Sequence, residues 1–177
     1  MQELRTLVTT LKSQVTAIQQ SKGFAAGGFY NFQGAGVNFL CLSRDPLWGS
    51  TYTGRSYATI YGAEYDDDAS FFGTKDGDDL PCAVCRSRSS VTSMMLPGRN
   101  RCYNTWKMQY SGYLATGNNN HPSSKDYICV DGNPDALVAG GHNDEGADFY
   151  SVTAVCGALA CPPYTNDRRL TCAICTK

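Results

Sequence analysis

Along residues 1–22 the apolar positions fall at Leu4, Val8, Leu11, Val15 and Ile18, in alternating steps of four and three with polar residues between them. That spacing is a heptad seam, with Met1, Val8 and Val15 at a and Leu4, Leu11 and Ile18 at d, in a stretch without Gly, Pro or Cys. It predicts a helix over 1–22, with Gly23 as its C-terminal stop. A helix of roughly 33 Å is marginal alone and wants partners. Leu7 at g widens the stripe enough for the helix to lie on its own domain, which is the plainer reading. A parallel coiled coil that gathers subunits is the sharper one. Val at a with Leu at d leans to dimers and Ile18 at d leans away from them, so the seam leaves dimer and trimer open.

From Gly23 onward the period changes. Gly23, Gly27, Gly28, Gly34 and Gly36 interleave with Phe24, Phe29, Tyr30 and Phe32, a pattern of short strands and tight turns. Between Thr51 and Tyr65, Tyr52, Tyr57, Ile60, Tyr61 and Tyr65 alternate with small residues and again predict strand, as does Phe149 to Val155. No interior segment keeps a helical period, so the chain after the helix is expected to be mainly β. The pattern also repeats. Leu80-Pro81-Cys82-Ala83-Val84-Cys85 returns as Leu170-Thr171-Cys172-Ala173-Ile174-Cys175, and Phe39-Leu40-Cys41-Leu42 returns as Tyr127-Ile128-Cys129-Val130. Cys41 and Cys82 stand 41 apart, Cys129 and Cys172 43 apart. The expected organisation is therefore an oligomerisation helix over 1–22, a first β module with its connector over 23–101, and a second β module over 102–177.

Composition narrows the function. With 177 residues the chain is long enough to bury a real core. A net charge of −1 without a Lys/Arg cluster argues against a general nucleic-acid binder. No run approaches transmembrane length, which argues against membrane insertion. Arg5 and Lys12 interrupt any apolar core a signal peptide would need, so the chain reads as one whose signal has been removed, or as one begun artificially at Met1. Residues 64–79 set Glu64, Asp66, Asp67, Asp68, Asp76, Asp78 and Asp79 against Lys75 alone. This acidic loop is a candidate calcium site, yet it lacks the alternating ligands, central Gly and twelfth-position Glu of an EF-hand, so a solvated loop is the default. There are only 2 histidines, His121 and His142, and no GxSxG elbow, phosphate-cradling loop or HExxH, so no catalysis is expected.

Nine cysteines carry more weight than any other count. Two CxxC pairs invite a Cys₄ zinc site, but they are separated by far more than the roughly 15–20 residues usual between knuckles. No βαβ pattern surrounds either pair, which removes a thioredoxin-like role. A disulfide framework in a secreted protein remains.

Cys102, Trp106, Tyr110-Ser111-Gly112-Tyr113, Cys129, the close pair Cys156 and Cys161, and Cys172-Ala173-Ile174-Cys175 together resemble one repeat of the noncollagenous domain of basement-membrane collagen. Cys82-Ala83-Val84-Cys85, Tyr61-Gly62-Ala63-Glu64-Tyr65 and Cys161-Pro162-Pro163-Tyr164 are similar to phrases of the spongin-type short-chain collagen-like proteins of invertebrates, and the likeness spans about residues 28–177. A trimeric sponge lectin of N-acetylated amino sugars is similar as well. The resemblance implies disulfides Cys41–Cys82, Cys102–Cys175, Cys129–Cys172 and Cys156–Cys161. It leaves Cys85 without a partner, as a free and buried thiol, because the counterpart of Cys102 would lie ahead of Gly27. The relatives trimerise through a Gly-X-Y triple helix that this chain lacks. A three-stranded coiled coil over 1–22 would do the same work, so the resemblance favours a homotrimer.

The function so implied is a secreted multivalent lectin for glycans with N-acetylhexosamine, without cofactor. A sugar site needs an aromatic plate for the pyranose and polar groups for its hydroxyls and amide. The loops around Asn120 and His121, and around His142, Asn143, Asp144 and Glu145, with Trp106, Tyr113 and Tyr150 nearby in sequence, offer those types. For the aromatics the plainer reading is core packing, and for the polar residues turn chemistry. The rival function is an extracellular structural or trimerisation module without a sugar ligand.

Overall fold

The computed structural model describes residues 19–51, 58–66, 76–87 and 89–177. All regular structure among them is β: β1 (Gln19–Gly27), β2 (Leu40–Ser43), β3 (Tyr61–Gly62), β4 (Glu64–Tyr65), β5 (Asp78–Asp79), β6 (Pro81–Cys85), β7 (Ser93–Pro97), β8 (Lys107–Thr116), β9 (Ile128–Asp131), β10 (Tyr150–Ser151) and β11 (Thr171–Thr176). No helix among the described residues is long and apolar enough to cross a membrane.

The repeat is visible in the pairing. In the first sheet β1 takes β2 on one edge and β6 followed by β3 on the other, all antiparallel. In the second sheet β8 takes β9 on one edge and β11 followed by β10 on the other. The correspondence holds bond by bond. Ala25 N–H donates to Leu80 and Leu80 N–H to Ala63, as Leu114 N–H donates to Leu170 and Leu170 N–H to Val152. One strand breaks the symmetry: β7 pairs along the outer edge of β11, whereas no described strand does the same for β6. β7 lies before Cys102 in sequence and yet completes the second sheet.

The expected helix does not extend to Gly23. Residues 19–22 belong to β1, and Gly23 lies within that strand, opposite Ser43 on one side and Cys82 on the other. Residues 1–18, which carry most of the heptad seam, lie outside the described residues. The physical reason for Gly23 is close approach rather than a helix stop. A Cβ there would lie 2.1 Å from the Leu42 carbonyl oxygen and 3.0 Å from Cys41 Sγ, so only Gly lets the strands meet under the disulfide. Gly112 holds the same place in the second sheet, its Cβ position 1.9 Å from the Val130 carbonyl oxygen. Other strands are shorter than the alternation suggests. Phe29, Tyr30 and Phe32 follow β1 in turns, and within the expected strand Phe149 to Val155 ladder pairing is confined to Tyr150–Ser151, with single bridges from Phe149 to Tyr65 and from Thr153 to Arg169.

The main core is shared between the repeats: Ala25, Ala63, Tyr65 and Leu80 from the first pack with Ala115, Val130, Ala147 and Phe149 from the second. Phe149 is 1% exposed and stacks on Phe39 with ring centres 4.0 Å apart, while its backbone bridges Tyr65 across the seam. A second cluster under the second sheet holds Leu114, Cys129 and Cys172, with Met95, Leu170 and Ile174 against it.

Four disulfides, Cys41–Cys82, Cys102–Cys175, Cys129–Cys172 and Cys156–Cys161, tie the strands and the last loop. This is the pairing the family resemblance implies, and so many bridges suit an extracellular or secreted protein. Cys85 is free but exposed, not buried. Its counterpart Cys175 is shielded by β7 and β8 on its two sides and is 0% exposed, whereas Cys85 ends β6 with only β1 beside it.

Candidate functional site

The seam between the repeats gathers aromatic and acidic side chains from both. Tyr30 leaves β1 through a turn and is clamped by two backbone bonds to the second repeat: its N–H donates to Gly146 at 2.9 Å, and its carbonyl accepts from Ser123 at 3.2 Å. These bonds set its ring against His121, centres 4.5 Å apart. Tyr150 meets the other side of His121 edge-on at 5.5 Å. Phe29, Phe32 and Tyr61 extend the aromatic patch, Phe29 lying 4.7 Å from Tyr30 and 4.8 Å from Tyr61. His121 is held from below by its own loop, its N–H donating to Asn118 at 3.1 Å.

Carboxylates border this cluster of rings. The Tyr150 hydroxyl donates to Asp66, and burial first, then that bond, raises the pKa of the phenol. Tyr30 is raised likewise, first by its hydrogen bond to Glu145. Asp148 lies behind His121 with its side chain 3% exposed. Its Oδ1 accepts from Gly146 N–H at 3.2 Å. Its Oδ2 stands 4.0 Å from His121 Nδ1, and neither of those two atoms has a hydrogen-bond partner. Burial, reinforced by Asp66, Glu145 and Glu64, pushes the Asp148 carboxyl up to about 7. Lys125 contacts Ser123 Oγ, and burial lowers its pKa. Glu145 itself sits at φ +63°, and Asn143 at +52°, conformations that L residues other than Gly seldom adopt and that concentrate at binding loops.

Of the residues singled out from sequence, His121, Glu145 and Tyr150 come together here, and Asn120 lies on the exposed side of the His121 loop with its N–H on the Asn118 side chain. The others lie elsewhere. Asn143 packs over Gly77, and His142 and Asp144 act electrostatically on Asp79, whose pKa burial raises first and Asp144 second. Tyr113 packs against the shared core. Trp106 lies half-buried in the turn before β8, its N–H on the Tyr103 carbonyl. Tyr30 and Asp148 are the site residues that the sequence did not single out for binding; Asp66 stood only in the acidic loop, and Asn118 opens the loop of Asn120 and His121. The Ala147-Asp148-Phe149 run held the signal, since an acidic residue flanked by apolar ones is seldom buried without a purpose. As for calcium, 67–75 of the acidic loop lie outside the described residues, Glu64 and Asp79 pair across β4 and β5, and no group of three or more His, Cys, Asp or Glu among the described residues is arranged to hold a metal ion.

The arrangement suits a small polar ligand with an apolar face: ring surfaces to cover it and carboxylate, amide and imidazole groups at the rim. No family model, curated protein or solved structure matches the chain.

Proposed function

We propose that the chain is a secreted, multivalent lectin that binds glycans carrying N-acetylated amino sugars and performs no catalysis. The observation that carries this reading is the Tyr30–His121–Tyr150 cluster, where rings from both repeats converge beside Asp66, Asn118 and Glu145, groups of the kind that bind sugar hydroxyls and amide. Because Tyr30 and Asp66 come from the first repeat and His121 and Glu145 from the second, the cluster forms only when both are folded together.

Such sites bind weakly alone and gain from repetition, so the proposal includes a homotrimer. Two features support self-association. One is the heptad pattern within residues 1–18. The other is an open sheet face: Phe24, Leu40 and Leu42, which lie on one side of the first sheet, are 43%, 52% and 38% exposed. Their counterparts Tyr113, Ile128 and Val130 are packed against the core that joins the two repeats. A second copy would offer the first sheet the kind of cover that the second sheet already has, a head-to-tail contact that closes into a ring or coil.

The same open face favours the rival reading, an extracellular structural module without a sugar ligand. Haemagglutination separates them. The lectin reading expects clumping that N-acetylhexosamine abolishes; association of subunits with no clumping, or clumping indifferent to the sugar, favours the structural module.

A further inference from the structure

We propose that copies of the chain join by repeating between chains the seam that holds the two repeats of one chain together, so that Tyr127 of one copy packs against Ile60 of the next. The inference rests on the homotrimer proposed above, and it names the surface of the second copy that covers the first sheet.

The internal repeat gives each part of the seam a counterpart elsewhere in the chain. At the centre of the seam Phe39, the residue before β2, stacks on Phe149, the residue before β10. In the other repeat the residue before β9 is Tyr127, and the residue before β3 is Ile60. Phe149 is 1% exposed, whereas Tyr127 and Ile60 are 59% and 48% exposed. Around that pair the correspondence continues. In the seam, Ala63 and Leu80 of the first repeat share one core with Tyr113, Ile128 and Val130 of the second. Backbone bonds set Val152 and Leu170 in the places of Ala63 and Leu80, and strand register sets Phe24, Leu40 and Leu42 in those of Tyr113, Ile128 and Val130. Val152 and Leu170 cluster with Leu114 as Ala63 and Leu80 cluster with Ala25. There the likeness stops: among the described residues no apolar side chain of the first sheet joins the Leu114 cluster. The second repeat thus carries one half of a seam and the first sheet the other half, and a second copy brings the two together. The rims agree as well, for Phe32 meets Tyr61 at an interplanar angle of 79°, as His121 meets Tyr150. One position departs. Ala154 holds the place of Tyr65 and is already buried, its N–H on the Arg168 carbonyl, so the contact gathers on Tyr127, Val152 and Leu170. Such a contact is head-to-tail, because each copy offers its second repeat to the first repeat of the next. It removes from water the aromatic and aliphatic side chains that form the apolar centre of lasting interfaces.

The test places the photo-cross-linker p-benzoylphenylalanine at Tyr127 of the full chain, an exposed position where a tyrosine-shaped side chain leaves the fold in place. After irradiation, a denaturing gel separates linked chains from single ones, and mass spectrometry locates the link. The expected result is pairs of linked chains joined between position 127 and the stretch around Ile60. Ile60→Glu, also at an exposed position, should lower the yield of linked chains at least about tenfold with an unchanged circular dichroism spectrum. A probe that reacts only with its own chain, or that links two copies through position 127 of both or through any other region, overturns the contact. Sedimentation separates this failure from that of the homotrimer. A trimer whose links lie elsewhere removes the contact and leaves the trimer standing, and a monomer that gives no linked chains removes both.

Discussion

Asp148 keeps one carboxylate oxygen buried and unpartnered beside Asp66, Glu145 and Glu64, and the proton it holds should be visible in the stability of the whole chain. Its folded pKa lies at about 7, against about 3.9 for an aspartate in an unfolded chain. The folded state therefore holds the proton more tightly, so this group's contribution is fully present below about pH 4 and is lost as pH rises through about 7, with a slope of at most about 1.4 kcal/mol per pH unit. Asp148→Asn should flatten that decline in a denaturant series across the same window; an unchanged slope would assign it to other groups. Cys85 gives a second check. Alkylation of the native protein should label one thiol per chain, at Cys85, and a thiol that reacts only after denaturation contradicts its exposure. Gly112→Ala pushes a Cβ into the Val130 carbonyl and should cost about 1–3 kcal/mol or more, whereas Gly62→Ala, with nothing within 4 Å, should cost under about 1 kcal/mol. Similar costs for the two would remove close approach as the reason for the conserved spacing of Gly23 and Gly112 between the repeats. Single residues were the hardest level to read in advance. Tyr30 and Asp66 join the site through contacts 91 and 84 positions away in sequence, to His121 and Tyr150, and no local pattern announces such a meeting.

At the level of elements, the repeat was legible because disulfides and their flanking strands fix spacing: separations of 41 and 43 residues hold the same three-strand frame in both halves. The start of β1 was not legible. Residues 19–22 are all polar and carry no apolar position that would tell a helix from a strand, and Gly23 marks equally well a helix end and a strand crossing beneath a disulfide; tertiary pairing with β2 and β6 decides for the strand. Turns misled in the same way, because Phe29, Tyr30 and Phe32 have strand-forming side chains but stack on one another and on Tyr61 instead of entering a ladder. The seam between the halves depends on Phe149, buried between Phe39 and the Tyr65 backbone. Phe149→Ala should destabilise the fold by about 3–5 kcal/mol in urea unfolding. A loss under about 1 kcal/mol would mean that the two halves stand without this contact.

For the molecule as a whole, two disulfide-tied sheets sharing one core place the candidate site across their junction, so that the proposed binding would require both to be folded. On the proposed reading, the open face of Phe24, Leu40 and Leu42 would bear on valency rather than on affinity at one site. The most direct test of the central claim is calorimetric titration of an N-acetylglucosamine oligosaccharide into the native chain and into His121→Ala, each first shown to be folded by circular dichroism. The account predicts saturable binding to the native chain and a loss of about tenfold or more in the variant. Absence of binding to the native chain, or binding indifferent to His121, would contradict it.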